Sequence, residues 1–265
     1  MYELLWMDWQ GRSERGERMV SGMQVGSLKK NKRYTYRKFS MSQHHGTRTY
    51  EFDGSRVPSV TTILSRTKDQ SFLDRWRARV GVEEADRIFN HAAKRGTSMH
   101  KFIENHITGI GYDDLSTIGH EARPMAQKII DTGLTPITEY YGSEVTLCYP
   151  GLYAGSTDLV CIHNDKDTIV DFKQSNKPKQ KEWIKDYYLQ IAAYAMAHDQ
   201  IYDSVIEQGI IMVCTPDLYF QEFRFEGDEL RQYKYDFLKR WNQYQDITRQ
   251  KDDNNMSKKR QTIKI

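Results

Sequence analysis

The sequence predicts a mixed α/β (α+β) fold, a central sheet flanked by helices, and three observations carry that prediction. Apolar residues recur at helical spacing in several long stretches, period-two alternation marks strand-like runs between them, and the order of the two gives helix, three strands, helix, two strands. No internal repeat, long linker or composition break interrupts residues 33–249, so a single domain is expected over 33–250, with a poorly ordered extension at 1–32 and a basic disordered tail at 251–265.

Taken in order, residues 1–32 mix Trp6, Trp9 and scattered charges without sustained periodicity. From Arg33 the pattern changes. Tyr34, Tyr36 and Phe39 mark one run, a polar turn through His45 and Gly46 follows, and 47–52 alternates again, as in a β-hairpin. Pro58 and Ser59 suit the entry to a short helix over 60–64, where a hydroxyl can accept a free N–H. In the helix expected over 71–80, Phe72 and Trp76 share one face and Arg75, Arg77 and Arg79 surround it. Two readings stand there: core aromatics with a solvated basic flank, or a helix that grips a nucleic-acid strand by stacking bases and holding phosphates. Helical spacing runs through Val82, Ala85, Ile88, Phe89 and Ala92, and resumes after Gly96 in Met99, Phe102, Ile103 and Ile107, so a glycine-permitted break is expected before a helical segment around His100. A helix over 121–132, strands over 143–149, 154–163 and 168–173, a helix over 181–199, strands over 208–215 and 219–225 about a Pro216-Asp217 turn, and a helix over 228–249 complete the order.

Composition excludes several classes. Hydrophobic residues at 38% and aromatic residues at 12% supply the apolar surface that a disordered chain lacks. No apolar run approaches the roughly 18–20 residues of a bilayer span, and the N-terminus lacks the basic-then-apolar layout of an export signal, so no membrane association is expected. Cys148, Cys161 and Cys214 include no Cys-x-x-Cys pair, which argues against a disulfide framework, a structural zinc or an iron–sulfur cluster and favours a reducing compartment. The net charge of +3 resides in the last fifteen residues, so nucleic-acid binding would depend on locally focused charge.

Chemistry concentrates in the hairpin of 154–163 and 168–173. A turn over 164–167 puts Asp158 opposite Lys173 and Val160 opposite Asp171, so Asp158, Asp171 and Lys173 project from one face with the carboxylates as diagonal neighbours. Diagonal positions lie about 7–8 Å apart, and two inward-leaning carboxylates can share a cation that takes oxygens at about 2.0–2.1 Å. A lysine on the same face can orient a metal-bound water or offset charge developing on a phosphate. Acid-x-Lys tripeptides are common by chance, but here Ile169-Val170 precedes the motif and Lys177, Lys179 and Lys181 follow it; a surface salt bridge between Asp158 and Lys173 is the alternative. His100 is a candidate ligand with Glu104 four residues on to orient its ring, or else a structural histidine. Gln190 and Tyr194 share a helix face, where amide and phenol could hold a phosphate or the attacking water, or simply pack.

In order along the chain, Gly96-Thr97-x-x-His100, Gly155-Ser156-Thr157-Asp158, Asp171-Phe172-Lys173 and Gln190-x-x-x-Tyr194 resemble the PD-(D/E)xK nuclease superfamily in its RecB-type branch. The segments 58–64, Arg75-Trp76 and 171–179 are similar to the mitochondrial genome maintenance exonuclease group and its phage-encoded relatives, and the resemblance covers roughly 56–199. It implies a restriction-endonuclease-like sheet and a Mg²⁺- or Mn²⁺-dependent exonuclease that hydrolyses DNA from free single-stranded ends. By that likeness His100, Asp158, Asp171 and the carbonyl of Phe172 would ligate the metal, Lys173 would position the water, and Gln190 and Tyr194 would support the site; Glu144 matches an acidic strand position. Phe72, Arg75, Trp76 and Arg79, with Thr97, Ser175, Lys177 and Lys179, are the expected DNA contacts. The cluster cysteines of some RecB-type relatives are absent and no mitochondrial targeting peptide is evident, so a bacterial or phage-infected cytoplasm is the expected setting, with replication or recombination proteins as partners. A binding module with an inactive nuclease site, or a structure-specific endonuclease or ribonuclease, would carry the same residues.

Overall fold

Of the two alternating runs in the N-terminal part of the chain, 47–52 forms a strand of a small sheet separate from the central one, whereas the run expected at 34–39 is irregular backbone whose Tyr34 and Tyr36 pack against the main core. The structure, a computed structural model, describes residues 19–20, 23–24, 28–44 and 47–262. Most of the extension expected at 1–32 lies outside these residues, but within it β1 (Met19–Val20) pairs with β2 (Met23–Gln24), and β3 (Lys29–Lys30) is an edge strand of the central sheet. Strands β4 (Ser40–His44), β5 (Thr47–Phe52) and β6 (Ser55–Pro58) form the small antiparallel sheet, anchored through Tyr50 and Val57 against Cys148 and Ala154.

Helix α1 (Val60–Arg66) is capped by Ser59, whose hydroxyl accepts the Thr62 N–H at 3.0 Å. Helix α2 (Ser71–Val80) buries no residue, and Gly81, at φ 89°, turns the chain into α3 (Val82–Thr108). The break expected at Gly96 is absent, and α3 runs through it unbroken. The glycine serves close approach instead, since a Cβ there would lie 3.3 Å from the Gln174 side chain. Helix α4 (Thr117–Gly133) starts four residues before its apolar pattern because Ser116 caps it, accepting the Gly119 N–H at 3.1 Å.

The central sheet comprises β3, β7 (Ile137–Tyr149), β8 (Tyr153–His163), β9 (Lys166–Gln174), β10 (Gln208–Cys214) and β11 (Phe220–Glu226), in the order β11-β10-β9-β8-β7-β3. It is mixed: β9 runs parallel to β10 and β3 to β7, and the other pairs are antiparallel. A 3₁₀ turn over Lys181–Ile184 leads into α5 (Lys185–Tyr202), the crossover that a parallel β9–β10 pair requires. Helix α6 (Gly227–Thr262) continues past Arg249 into the segment expected to form the tail.

Side-chain alternation sorts the sheet into two cores. Val170, Phe172, Ile210 and Met212 pack with Met99, Phe102, Met125 and Ile129 of α3 and α4, while Val160, Ile169, Ile211 and Val213 pack with α5 through Ile191 and Ala192, and α6 joins that side through Leu230 and Phe237. Between these layers β8 and β9 part company. Their ladder ends at Leu159↔Val170, while β7–β8 pairing continues to Tyr149↔Tyr153 and β9–β10 pairing to Gln174↔Cys214. The resulting divergence is where the candidate residues gather.

Candidate active site

The β8–β9 turn is tighter than expected. Asn164 and Asp165, at φ 48° and 63°, form it alone, and Lys166 and Asp167 already belong to β9. Leu159 consequently pairs with Val170, two residues from the expected register, so continuing it sets Asp158 against Asp171 and not against Lys173. A slip of two preserves which face each side chain takes, so Asp158, Asp171 and Lys173 still converge. Asp158 Oδ2 accepts the Phe172 N–H at 2.7 Å, so a side chain supplies a bond where the ladder has ended.

Three elements complete the cluster. Helix α3 delivers His100, whose Nδ1 lies 3.4 Å from Asp158 Oδ1 and whose ring meets Phe172 edge-on at 6.2 Å. Strand β7 delivers Glu144, held at φ 51° in the middle of a strand; Ser143↔Leu159 and Val145↔Thr157 pair on either side, which sets Glu144 against Asp158. A carboxylate residue in left-handed backbone within a strand is a strained placement of the kind that functional sites keep. One ligand atom from each of His100, Glu144 and Asp158 lies within 4.8 Å of the others. His100 and Asp158 of this cluster belong to the metal set expected from sequence, and Glu144 joins them. Phe172 offers its N–H to Asp158, and Asp171 engages Lys173 Nζ and accepts from Gln190 Nε2 at 3.2 Å. Glu104, expected to orient His100, bonds Lys101 at 2.9 Å.

Electrostatics couple these groups. Burial pushes Asp171, 1% exposed, up to about 6, with Lys173 opposing and Asp158 adding to the rise. Asp158, 13% exposed at its side chain, is largely desolvated, but His100, Lys173 and the Phe172 N–H hold its carboxyl below the usual range. Against the effect of burial, Asp158 carries His100 up to about 9, and Asp171 and Asp158 likewise raise Lys173, whose Nζ sits 5.2 Å from the Tyr187 ring centroid. Although Glu144 is an exposed residue, partial desolvation of its carboxyl and the neighbouring Asp158 push it up to about 7. Two largely desolvated carboxylates are thus balanced by an ammonium and an imidazolium, in a site whose donors are chiefly hard oxygens.

Gln190 and Tyr194 form a chain of hydrogen bonds to the Asp171 carboxylate. Gln190 Nε2 donates to Asp171 Oδ1 and to Tyr194 Oη at 3.3 Å, and the buried Tyr194 ring lies under Gly155, where an added Cβ would come within 2.7 Å of it. The glycine of Gly155-Ser156-Thr157-Asp158 therefore admits the ring that positions Asp171. Arg95 escaped the sequence reading. Buried at 5% exposure, it donates to Gln174 Oε1 at 2.8 and 3.2 Å and to Asn176, and it lies 3.4 Å from Glu121 Oε2, tying α3 to the segment after the Asp-Phe-Lys motif. Its signal was available: a charged residue one helical turn before Met99, on the apolar stripe of α3.

The expected DNA contacts divide. Phe72 is 73% exposed, Arg75 and Arg79 are exposed, and Trp76 packs edge-on against Phe89 at 5.4 Å, so the core-aromatic reading of α2 fails for Phe72. Thr97 lines an open cleft of about 610 Å³ with Gly96, His100, Lys101 and Glu144. Lys177 is exposed, while Ser175 is buried and donates to the Lys177 carbonyl at 2.7 Å, a turn-forming role. The Lys179 backbone exchanges two hydrogen bonds with Gln221, at 2.7 and 2.9 Å.

Comparison with known proteins bears out the resemblance read from the motifs. The chain is 31% identical over 176 residues to mitochondrial genome maintenance exonuclease 1 of Mus musculus and 29% identical over 175 residues to that of Homo sapiens, matches that take in 61% of this chain. The chain spans about half the length of these curated relatives, 50% in both cases. No family model matches. Among solved structures, an alkaline exonuclease from Laribacter hongkongensis overlaps 59% of this chain and 84% of its own at 16% identity, with a TM-score of 0.29. The expected bacterial or phage-infected cytoplasm is corrected by these relatives, whose names point to mitochondria.

Proposed function

We propose that this chain is a divalent-metal-dependent DNA exonuclease that hydrolyses phosphodiester bonds from free single-stranded ends, with residues 33–250 and the edge strand β3 as its nuclease unit. The observation that carries the reading is the convergence of His100, Glu144, Asp158, Asp171 and Lys173 where β8 and β9 diverge, in a chain whose curated relatives are named exonucleases. The donor set fits a hard cation: His100, Glu144 and Asp158, with Asp171 beside them, would hold Mg²⁺ or Mn²⁺. Bound there, such an ion polarises the scissile phosphate and lowers the pKa of a water.

The residues divide the remaining work. Lys173, held by Asp171 and backed by Tyr187, presents an ammonium that can orient the attacking water and offset charge growing on the phosphate oxygens. Gln190 fixes Asp171 Oδ1, and Tyr194 in turn holds Gln190, so the carboxylate keeps one orientation. The Phe172 N–H does the same for Asp158. Contacts to the strand would be made to phosphates and base faces, with little sequence preference.

The test is degradation of end-labelled single-stranded DNA, linear and circular, in Mg²⁺, Mn²⁺ and chelator, by the parent and by Asp171→Ala. Metal-dependent shortening of the linear strand alone, abolished in the variant, is expected. Cleavage of the circle would replace the exonuclease reading with an endonuclease, and intact DNA with tight salt-sensitive binding would leave a binding module.

A further inference from the structure

A second groove meets the candidate site at Glu144 and belongs to none of the motifs. It has a volume of about 530 Å³, and Lys30, Lys32, Arg37 and Lys38 line it together with Tyr140 and Glu144. All four basic side chains are exposed, and Glu144 is the one carboxylate residue among the groove's lining residues. Nearby acids are already engaged: Glu139 with Lys29 and Asn31, Asp167 with Arg33 and Tyr141, and Asp53 with Arg37. Lys30, Lys32 and Lys38 form no ion pair with any described residue, and Lys30 Nζ stands 5.9 Å from the Tyr140 ring centroid. The pairing of β3 with β7 sets the direction. Lys30 registers with Tyr140, four residues along β7 from Glu144, which is a distance of about 13 Å at strand rise. That is about four nucleotides of a helically stacked strand, and fewer of an extended one.

We propose that this groove is a track for the phosphate backbone of a single nucleic-acid strand, held by Lys30, Lys32 and Lys38 and leading to the cleft at Glu144. The inference rests on the nuclease reading for its direction and stands on the unpaired lysines for its charge. Cations without acidic partners along a channel that ends at a carboxylate suit a polyanion whose phosphates must be led to a cation-binding site. A single strand suits it better than a duplex, because a groove of about 530 Å³ that shares Glu144 with the cleft on the flank of α3 has room for a few nucleotides of one strand.

The experiment is the binding of a fluorescent single-stranded oligonucleotide in chelator, between 50 and 200 mM salt, by the parent chain and by Lys30→Gln/Lys32→Gln/Lys38→Gln. Three lost phosphate contacts should flatten the slope of log affinity against log salt by about 2, so that the parent loses about 20-fold more affinity than the variant over that range. Circular dichroism and thermal melting of both proteins establish that the variant is folded. An unchanged slope and affinity in a folded variant would overturn the track. Hydrolysis of linear single-stranded DNA by the parent in Mg²⁺ or Mn²⁺ is scored separately: an active parent with an unchanged slope sinks the groove alone, and an inactive parent with the flattened slope sinks the nuclease reading while the groove stands.

Discussion

The β8–β9 divergence and helix α2 present the same kinds of residue, charged and aromatic, in opposite settings. At the divergence Asp158, Asp171 and Lys173 are largely buried, and the Phe172 N–H, Gln190 and His100 fix the two carboxylates from different elements. On α2 no residue is buried, Phe72 is 73% exposed, and Trp76 packs edge-on against Phe89 of α3. Chemistry needs reacting groups held within fractions of an ångström, and burial with redundant hydrogen bonds supplies that constraint. A surface that slides along a polymer needs charge and aromatic faces in reach of solvent, and rigidity there brings little.

Breaking the buried region has the largest expected effect. Asp158→Ala or Asp171→Ala should lower hydrolysis of single-stranded DNA by about 10³-fold or more, as should chelation in the parent, measured by release of end label. Retained activity in either variant would move the reaction elsewhere. Glu144→Gln should weaken Mn²⁺ binding at least about 10-fold by calorimetry, which separates the His100–Glu144–Asp158 set from one built on Asp171 alone. Gly155→Ala drives a methyl into the Tyr194 ring and should cost about 1–3 kcal/mol, or about 2–4 °C of Tm for each of them; an unchanged Tm would mean that the ring has somewhere else to go. The smallest effect sharpens the comparison from the other side. Phe72→Ala should leave folding stability within about 0.5 kcal/mol in chemical denaturation while weakening single-strand binding, and unchanged binding would remove α2 from the DNA surface.

Much of this was legible in the sequence, for definable reasons. The strand and helix order followed from period alone, and the convergence of Asp158, Asp171 and Lys173 survived a wrong turn length because facing depends on parity and the slip was even. What failed depended on tertiary context. Gly96 reads as a breaker, yet a long helix supported by packing on one side tolerates it, and the close approach of Gln174 is invisible in one dimension. Glu104 has the spacing to serve His100, but Lys101 on the same surface competes for it and Asp158 arrives from the sheet. Glu144 was recognisable as an acid in a strand, while its left-handed backbone was not. The edge strand at 29–30 and the last turns of α6 were not legible, because two residues carry no alternation and polar turns carry no apolar stripe.

The two-residue turn at Asn164-Asp165 also bears on the order in which the protein assembles. It joins the strands that carry Asp158 and Asp171, so these two acids meet through local contacts that a hairpin forms in about 1–10 μs. Glu144 joins through the β7–β8 hairpin, which is as local as β8–β9, whereas His100 arrives from a helix far earlier in the chain, through a contact that must close a longer loop. Assembly in that order gathers Glu144, Asp158, Asp171 and Lys173 before the imidazole of His100. Kinetic φ-values for Val160→Ala and Ile169→Ala are accordingly expected to exceed that for Met99→Ala, which makes the nascent hairpin, with its mutually repelling carboxylates, the stage of folding most open to help from a divalent cation.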